Sequence, residues 1–206
     1  MIVGVLAFQG DFQEHRDVLL SLGVQSMEVR SLTDLAKVDA LIIPGGESTV
    51  IAKFLEESGV GKEIIRRTKL GLPASQAGRK SLSIFGTCAG AIVLARKATG
   101  KNAPRTLDLI DVVIDRNAYG SQVDSFETAL KVKGVKKPVD VAFIRAPKIT
   151  SVGKGVEVLA VYKESPVLVR QGNVMIATFH PEVRGARGLH ELFLKLCHQS
   201  NIDRIN

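Results

Sequence analysis

The stretch Leu82-Ser83-Ile84-Phe85-Gly86-Thr87-Cys88-Ala89-Gly90-Ala91-Ile92-Val93-Leu94-Ala95 decides the fold. A short apolar run gives way to Gly-Thr-Cys-Ala-Gly, and a second apolar run follows at once. The first run reads as a buried strand, and the second has the length and alanine content to begin a helix. Small residues on both sides of Cys88 let the chain reverse sharply. The turn therefore holds a thiol at the C-terminal edge of a sheet and the N-terminus of a helix. That is the logic of the Gly-x-Ser-x-Gly nucleophile elbow, with sulfur for oxygen. Partial positive charge gathers at a helix N-terminus, a setting that suits a nucleophilic sulfur. A buried structural cysteine is the plainer reading of any lone Cys, but the flanking glycines favour a nucleophile.

Working outward, Ile2–Phe8 is a continuous apolar run, as in a strand covered on both faces. Asp11 opens a helical pattern with Phe12, His15, Leu19 and Leu22 on one stripe and Gly23 as the stop. Met27 and Val29 alternate in a second strand, and Ser31-Leu32-Thr33-Asp34 resembles a capping box before a short helix. Ala40–Ile43 is a third strand, ending in Pro44-Gly45-Gly46-Glu47-Ser48. Val50, Ile51, Phe54 and Leu55 recur at helical spacing, Ile64 and Ile65 belong to a further helix, and Gly71–Ser81 reads as a polar surface loop. This alternation predicts a mainly parallel, doubly wound α/β sheet with helices on both faces. Beyond Pro104 the pattern turns to strands: Leu109–Asp115, Phe126–Val132, Val139–Ile144, Val156–Val161, Pro166–Arg170 and Val174–Phe179. These predict extra antiparallel strands in the second half, with Gln171-Gly172-Asn173 as a hairpin turn. Leu189, Phe193, Leu196 and Cys197 then form the apolar stripe of a last helix. No repeat or linker divides the chain, so residues 1–206 are expected to form one domain.

Composition bounds the function. With 206 residues, 45% of them hydrophobic and 24% charged, the chain suits a globular protein with a sizeable core. No apolar run reaches the eighteen or so residues of a membrane span, and Met1–Phe8 lacks the basic start and cleavage site of a signal peptide. Two cysteines give no disulfide framework, and a working thiol implies a reducing compartment, so a cytoplasmic location is expected. The net charge of +7 is spread thinly. Its densest patch, Lys131-Val132-Lys133-Gly134-Val135-Lys136-Lys137, has no aromatic interleaving of the kind that stacks bases, and reads as a solvated hairpin. Neither a nucleic acid nor a membrane is expected as partner.

A sulfur attacking a carbonyl needs a base, a group to orient the base, and donors for the oxyanion. The chain has four histidines: His15, His180, His190 and His198. His180 follows a strand and heads His180-Pro181-Glu182, where residues two apart in an extended segment point the same way, so Glu182 can reach the far ring nitrogen. Cys88, His180 and Glu182 are the candidate catalytic set. Alternatively, His180 is a turn histidine and Glu182 a solvated carboxylate. His190 and His198 are expected to be partly exposed on the last helix, and His15 is as readily structural as functional. No grouping has metal-ligand spacing, so no metal is expected. Gly45-Gly46-Glu47-Ser48 ends a strand at the same edge. Its glycines let backbone N–H groups approach a substrate, which suits an oxyanion hole better than a phosphate cradle.

Gly86-Thr87-Cys88-Ala89-Gly90 with His180-Pro181-Glu182 resembles the class I (triad) glutamine amidotransferases. The likeness extends further with one branch, the glutaminase subunits of pyridoxal 5′-phosphate synthase. Phe8-Gln9-Gly10-Asp11 with Glu14-His15 looks like that branch's N-terminal signature, and Pro44-Gly45-Gly46-Glu47-Ser48-Thr49 like its glutamine-binding loop. Arg116-Asn117-Ala118-Tyr119-Gly120, Val123-Asp124-Ser125-Phe126-Glu127 and Phe143-Ile144-Arg145-Ala146-Pro147 resemble later blocks. The resemblance implies a glutaminase with Cys88 as nucleophile, His180 as general base and acid, and Glu182 as its partner. It implies L-glutamine bound by Gly46, Glu47, Ser48, Arg116, Ile144 and Arg145. The oxyanion would be held by Gly45, Gly46 and Ala89. It further implies a synthase subunit as partner, contacted through Gln9, Gly10, Glu14 and His15, and no cofactor. Gly71–Ser81 is longer and more polar than the branch's usual link. The competing readings are a glutaminase serving another synthase, such as the imidazole glycerol phosphate type, a non-catalytic binding module, and a cysteine hydrolase on the same sheet architecture.

Overall fold

Parallel strands that are buried on both faces must be apolar at nearly every position, and four of the strands here are. The structure, a computed structural model, describes residues 1–69, 81–117, 125–183, 185 and 187–202. Its main sheet has seven strands. In spatial order these are β10 (Glu157–Tyr162), β11 (Ser165–Gln171), β12 (Val174–Ala177), β4 (Ser83–Thr87), β3 (Ala40–Ile43), β1 (Val3–Leu6) and β2 (Ser26–Val29). The five strands from β12 to β2 are mutually parallel, and β10 and β11 extend the sheet antiparallel. Every residue of β1, β3, β4 and β12 is buried.

Alternation divides the core in two. Leu41, Ile43, Ile84, Val174 and Ile176 face one hydrophobic cluster, and Ala40, Ile42, Phe85, Met175 and Ala177 face the other. The first cluster is closed by α2 (Leu32–Leu35), α3 (Ser48–Glu57), α4 (Val60–Lys69) and α5 (Ala89–Leu94). The small sheet of β5 (Ala95–Thr99), β6 (Ile110–Asp115) and β9 (Lys148–Val152) also packs there. The second is closed by α1 (Phe12–Ser21), α6 (Arg187–Ile202) and the hairpin of β7 (Phe126–Leu130) and β8 (Val139–Phe143). Each fully buried Leu, Ile or Phe contributes roughly 1.5–3 kcal/mol, so this two-sided burial is what holds the sheet between its covers.

Local expectations are met in the first half. Ser31 caps α2 by accepting from the Asp34 N–H, and Gln171-Gly172-Asn173 joins β11 to β12 with Gly172 at φ 57°. The basic run Lys131–Lys137 links β7 to β8, with Lys131, Lys136 and Lys137 exposed and Lys133 paired with Glu157. No helix among the described residues is long and apolar enough to cross a membrane. The loop expected at Gly71–Ser81 falls, apart from Ser81, outside the described residues.

Two features go beyond the sequence reading. The helix after Cys88 is only six residues long and runs directly into β5. Its last carbonyls, on Val93 and Leu94, are taken by the N–H groups of Leu107 and Leu109, and the Ala95 carbonyl by Asp108. The arriving segment supplies the partners that another helical turn would have given. Strand β9 has only Ile149 fully buried, so its sequence carries no alternating signal.

Candidate active site

Parallel strands finish at one edge, and the candidate residues lie just past those ends. Leu6 of β1 precedes Gln9–Asp11, Ile43 of β3 precedes Gly45–Ser48, Thr87 of β4 precedes Cys88, and Ala177 of β12 precedes His180. Register locks them together: Ile43 pairs with Gly86, and Thr87 with Ala177.

The reversal at Cys88 is an elbow. Cys88 has φ 48° and ψ −103°, a left-handed conformation that costs an L residue of order 1–3 kcal/mol and persists only when its surroundings impose it. The surroundings are two backbones in contact. A Cβ on Gly90 would lie 2.0 Å from the Ile43 carbonyl oxygen, and one on Gly86 would lie 2.7 Å from the Gly90 carbonyl carbon. The Cys88 N–H donates to the Ala177 carbonyl at 2.9 Å, which ties the elbow to β12 and commits that amide. The Cys88 thiol lies 3.9 Å from the Ile144 carbonyl, to which it can donate.

His180 is almost fully buried, and its backbone N–H donates to the Ala142 carbonyl of β8 at 2.8 Å. Its ring is held from three sides. Nδ1 lies 2.8 Å from Glu182 Oε1 and 3.1 Å from Asp11 Oδ2, and the Cys88 side chain is the third hydrogen-bond partner. With Nδ1 facing two carboxylates, Nε2 is the nitrogen left for the thiol. A Cβ on Gly45 would sit 2.3 Å from His180 Cε1, so only glycine fits against the ring. Glu182 reaches Nδ1 across a bend at Pro181 and opens a turn closed by the Gly185 N–H on its own carbonyl, rather than continuing an extended run. The bend at Pro181 accounts for the difference.

Burial works against a charge on His180, but the hydrogen bonds to Asp11, Cys88 and Glu182 outweigh it and raise its pKa to about 12. Burial pushes the Glu182 carboxyl up, with the bond to His180 pulling the other way. The bond to His180 holds Asp11 below the usual carboxylate range. Asp11 is the residue that sequence reasoning missed. Its place in the helical pattern makes it the start of α1, yet its side chain makes no cap hydrogen bond and turns to the imidazole instead. The available signal was its place at the end of the Gln9-Gly10-Asp11 block.

Asp11→Asn is expected to lower the proton affinity of His180 and to narrow the pH range of its stability advantage. The charged pair exists only while Asp11 is ionised, so its contribution is lost as pH falls through the depressed carboxyl pKa. Because His180 is raised from 6.5 to about 12, its contribution is complete below pH 6.5 and fades as pH climbs toward 12. Unfolding midpoints of wild type and variant should differ from about pH 4 upward and converge as pH falls through the depressed Asp11 pKa or rises into the alkaline range where His180 loses its proton. A difference independent of pH would exclude the pairing.

The remaining candidates are partly gathered. Glu47 caps α3 by accepting from the Thr49 N–H, and Arg116 Nη2 donates to Glu47 Oε1 at 2.8 Å. Ser48 is buried, and its hydroxyl has no hydrogen-bond partner among the described residues. Ile144 contributes its carbonyl, and Arg145 is exposed at φ 46°. Gly46 is exposed at φ 141° beside Gly10. A Cβ on Gly10 would meet the Gly45 carbonyl oxygen at 1.7 Å, so the Gln9–Gly10 loop rests directly on the glycine loop. Gln9 is half-buried, and Gly10 and Glu14 are exposed. His15 is not available to a partner: its exposure is 0%. The stripe of α1 that carries it faces the core beneath Thr87 and Glu182. His190 is likewise buried rather than partly exposed, whereas His198 is exposed. Asp11, His180 and Glu182 have donor atoms within 4.8 Å of one another, close enough for one ion, but their mutual hydrogen bonds account for that closeness.

The model of the SNO glutamine amidotransferase family matches residues 5–199. The chain belongs to this family. It is 47% identical over 195 residues to the pyridoxal 5′-phosphate synthase subunit PdxT of a Thermus thermophilus strain, covering 95% of this chain and 97% of that one. The corresponding protein of Thermosipho africanus is 44% identical over 197 residues, covering 95% and 98%. A crystal structure of a glutamine amidotransferase superposes with a TM-score of 0.86 at 46% identity, covering 96% of this chain and all of that one. The mainly parallel α/β sheet is thus that of a glutamine amidotransferase.

Proposed function

We propose that the chain hydrolyses L-glutamine to L-glutamate and ammonia through a thioester on Cys88. It would deliver the ammonia to a synthase subunit that assembles pyridoxal 5′-phosphate from a pentose phosphate and a triose phosphate. One observation carries the chemistry: a sulfur on a strained elbow acts on an imidazole whose Nδ1 faces a carboxylate at 2.8 Å. The choice of acceptor is supported by the relatives, which are named as subunits of pyridoxal 5′-phosphate synthase.

The Cys88 sulfur attacks the side-chain amide carbon of glutamine with the proton already held on His180. The oxyanion is held by amide N–H groups of Ala89 and the Gly45–Gly46 loop. His180 passes the proton to the departing nitrogen, which leaves as ammonia, and the acyl group remains as a thioester. His180 then takes a proton from water, hydroxide adds to the thioester, and glutamate leaves as the sulfur is released. Glu182 keeps the imidazole oriented and balances its charge through both half-reactions. Arg116, held beside Glu47, suits the α-carboxylate of glutamine, and the buried Ser48 hydroxyl suits a further polar contact. Half-buried Gln9 and exposed Gly10 lie against the glycine loop, so a partner docked there would press on the oxyanion donors.

The test is glutamate release with and without the synthase subunit, together with labelling by a diazo-ketone analogue of glutamine. Stimulated release and labelling confined to Cys88 are expected. Labelling that ignores competing glutamine would exclude a glutamine pocket, and release stimulated only by an imidazole glycerol phosphate-type synthase would reassign the acceptor.

A further inference from the structure

A histidine buried in the middle of a helix must satisfy both ring nitrogens inside the protein, and His15 does so against the candidate triad. His15 Nδ1 lies 2.9 Å from His190 Nε2. Its Nε2 lies 3.2 Å from Thr87 Oγ1, on the residue before the nucleophile, and 3.3 Å from Glu182 Oε2. Both His15 and the Glu182 carboxylate are wholly buried. Glu182 Oε1 is engaged by His180, while Oε2 makes no hydrogen bond of good geometry. Among the described residues, the donor set against Oε2 at ion-pair distance is His15 Nε2.

The protonation of His15 follows from its surroundings. Burial drives its pKa well below 6.5, and the neighbouring His190 and His180 push the same way, so the ring is neutral and carries one N–H. A carboxylate can only accept, so the N–H belongs on Nε2, with Nδ1 accepting from His190 Nε2–H. The opposite tautomer would set a lone pair against Glu182 Oε2 in the interior, an arrangement that costs free energy.

We propose that His15 is a positioning residue for the triad: held by His190, it presents Nε2–H to Glu182 Oε2 and fixes the carboxylate whose other oxygen orients His180. The proposal rests on the glutaminase reading for its catalytic consequence, but the hydrogen bond itself is independent of turnover. Nε2–H has two acceptors within reach: Thr87 Oγ1 at 3.2 Å takes the aligned hydrogen bond, and Glu182 Oε2 at 3.3 Å lies off its axis but close enough to be held electrostatically. The groups facing the coupled pair are Asp11 and Cys88 on His180, and Thr87, His15 and His180 around Glu182. Of these, only His15 touches Oε2 from behind, so removing it frees the carboxylate to turn without removing any group that touches His180.

The test uses the intact chain with its imidazole nitrogens labelled. In the wild type, nitrogen chemical shifts should report His15 as the Nε2–H tautomer at every pH at which the protein is folded. The Nδ1–H tautomer or a doubly protonated ring would overturn the proposal without any substitution. In His15→Leu, the Nδ1–H resonance of His180 should broaden or move upfield. The His180 protonation midpoint should fall by about one pH unit, a tenfold loss of proton affinity. His15→Gln, whose amide nitrogen can reach the place of Nε2, should recover most of that shift. In the complex, kcat should fall about tenfold in His15→Leu with KM within about twofold, and recover in His15→Gln. Wild-type values for His180 in a folded His15→Leu protein, or no difference between the Leu and Gln variants, would overturn the proposal. Loss of turnover in the wild type itself would instead refute the glutaminase reading, while leaving the tautomer result to stand.

Discussion

Cys88→Ala is expected to reduce glutamate release by at least about four orders of magnitude, with a folded protein left behind. In the proposed reaction the sulfur becomes covalently bound to the acyl group, and among the described residues no second nucleophile touches His180. The other cysteine, Cys197, is buried on α6 against the opposite cover of the sheet, and burial pushes its thiol up to about 12. It cannot stand in for Cys88. The elbow is tied down by backbone contacts and by the Cys88 N–H, none of which needs the thiol. The unfolding midpoint should therefore move by no more than about 2 °C. Retention of more than about 1% of glutamate release in Cys88→Ala would end the nucleophile assignment.

Gly90→Ala should act on folding rather than chemistry. The added Cβ would lie 2.0 Å from the Ile43 carbonyl oxygen and 2.8 Å from its carbon, and both are backbone atoms of a fully buried central strand. No rotamer change can relieve that overlap. Either α5 lifts from the sheet or β3 moves, and β3 pairs with β1 on one side and β4 on the other. A destabilisation of about 3 kcal/mol or more follows, an overpacking cost at the upper end of its range. For a chain of this size that corresponds to a midpoint lower by about 6–12 °C, read by thermal unfolding. A midpoint within about 2 °C of wild type would show that the backbones are not in the contact described. The pair Gly86 and Gly90 thus has a packing meaning: one is glycine because the Gly90 backbone fills its side-chain space, the other because the Ile43 carbonyl does.

His180, Asp11 and Glu182 show how two-sided the site is. Asp11 comes from the segment after β1 and Glu182 from the turn after β12, on different sides of the β3–β4 pair. Both carboxylates converge on one nitrogen, which explains the high proton affinity of a buried imidazole. The same segment after β1 carries Gly10, stacked on the Gly45 carbonyl. Pressure on Gln9–Asp11 therefore bears at once on the His180 imidazole and on the Gly45–Gly46 loop.

The order of strands and helices in the first half, the elbow, and the candidate residues Cys88, His180 and Glu182 were legible in the chain itself. Each depends on short-range rules: continuous apolar runs for strands buried twice over, glycines where a Cβ cannot fit, and an imidazole just beyond a strand end. Tertiary structure alone decided the rest. It ended α5 after six residues because Leu107 and Leu109 arrive to take its carbonyls. It turned Asp11 from a helix start into a partner of His180, and His15 from a surface candidate into a buried neighbour of Glu182. Those outcomes turn on which segments meet across long stretches of sequence, and no local pattern encodes a contact between α1, β4 and the turn after β12.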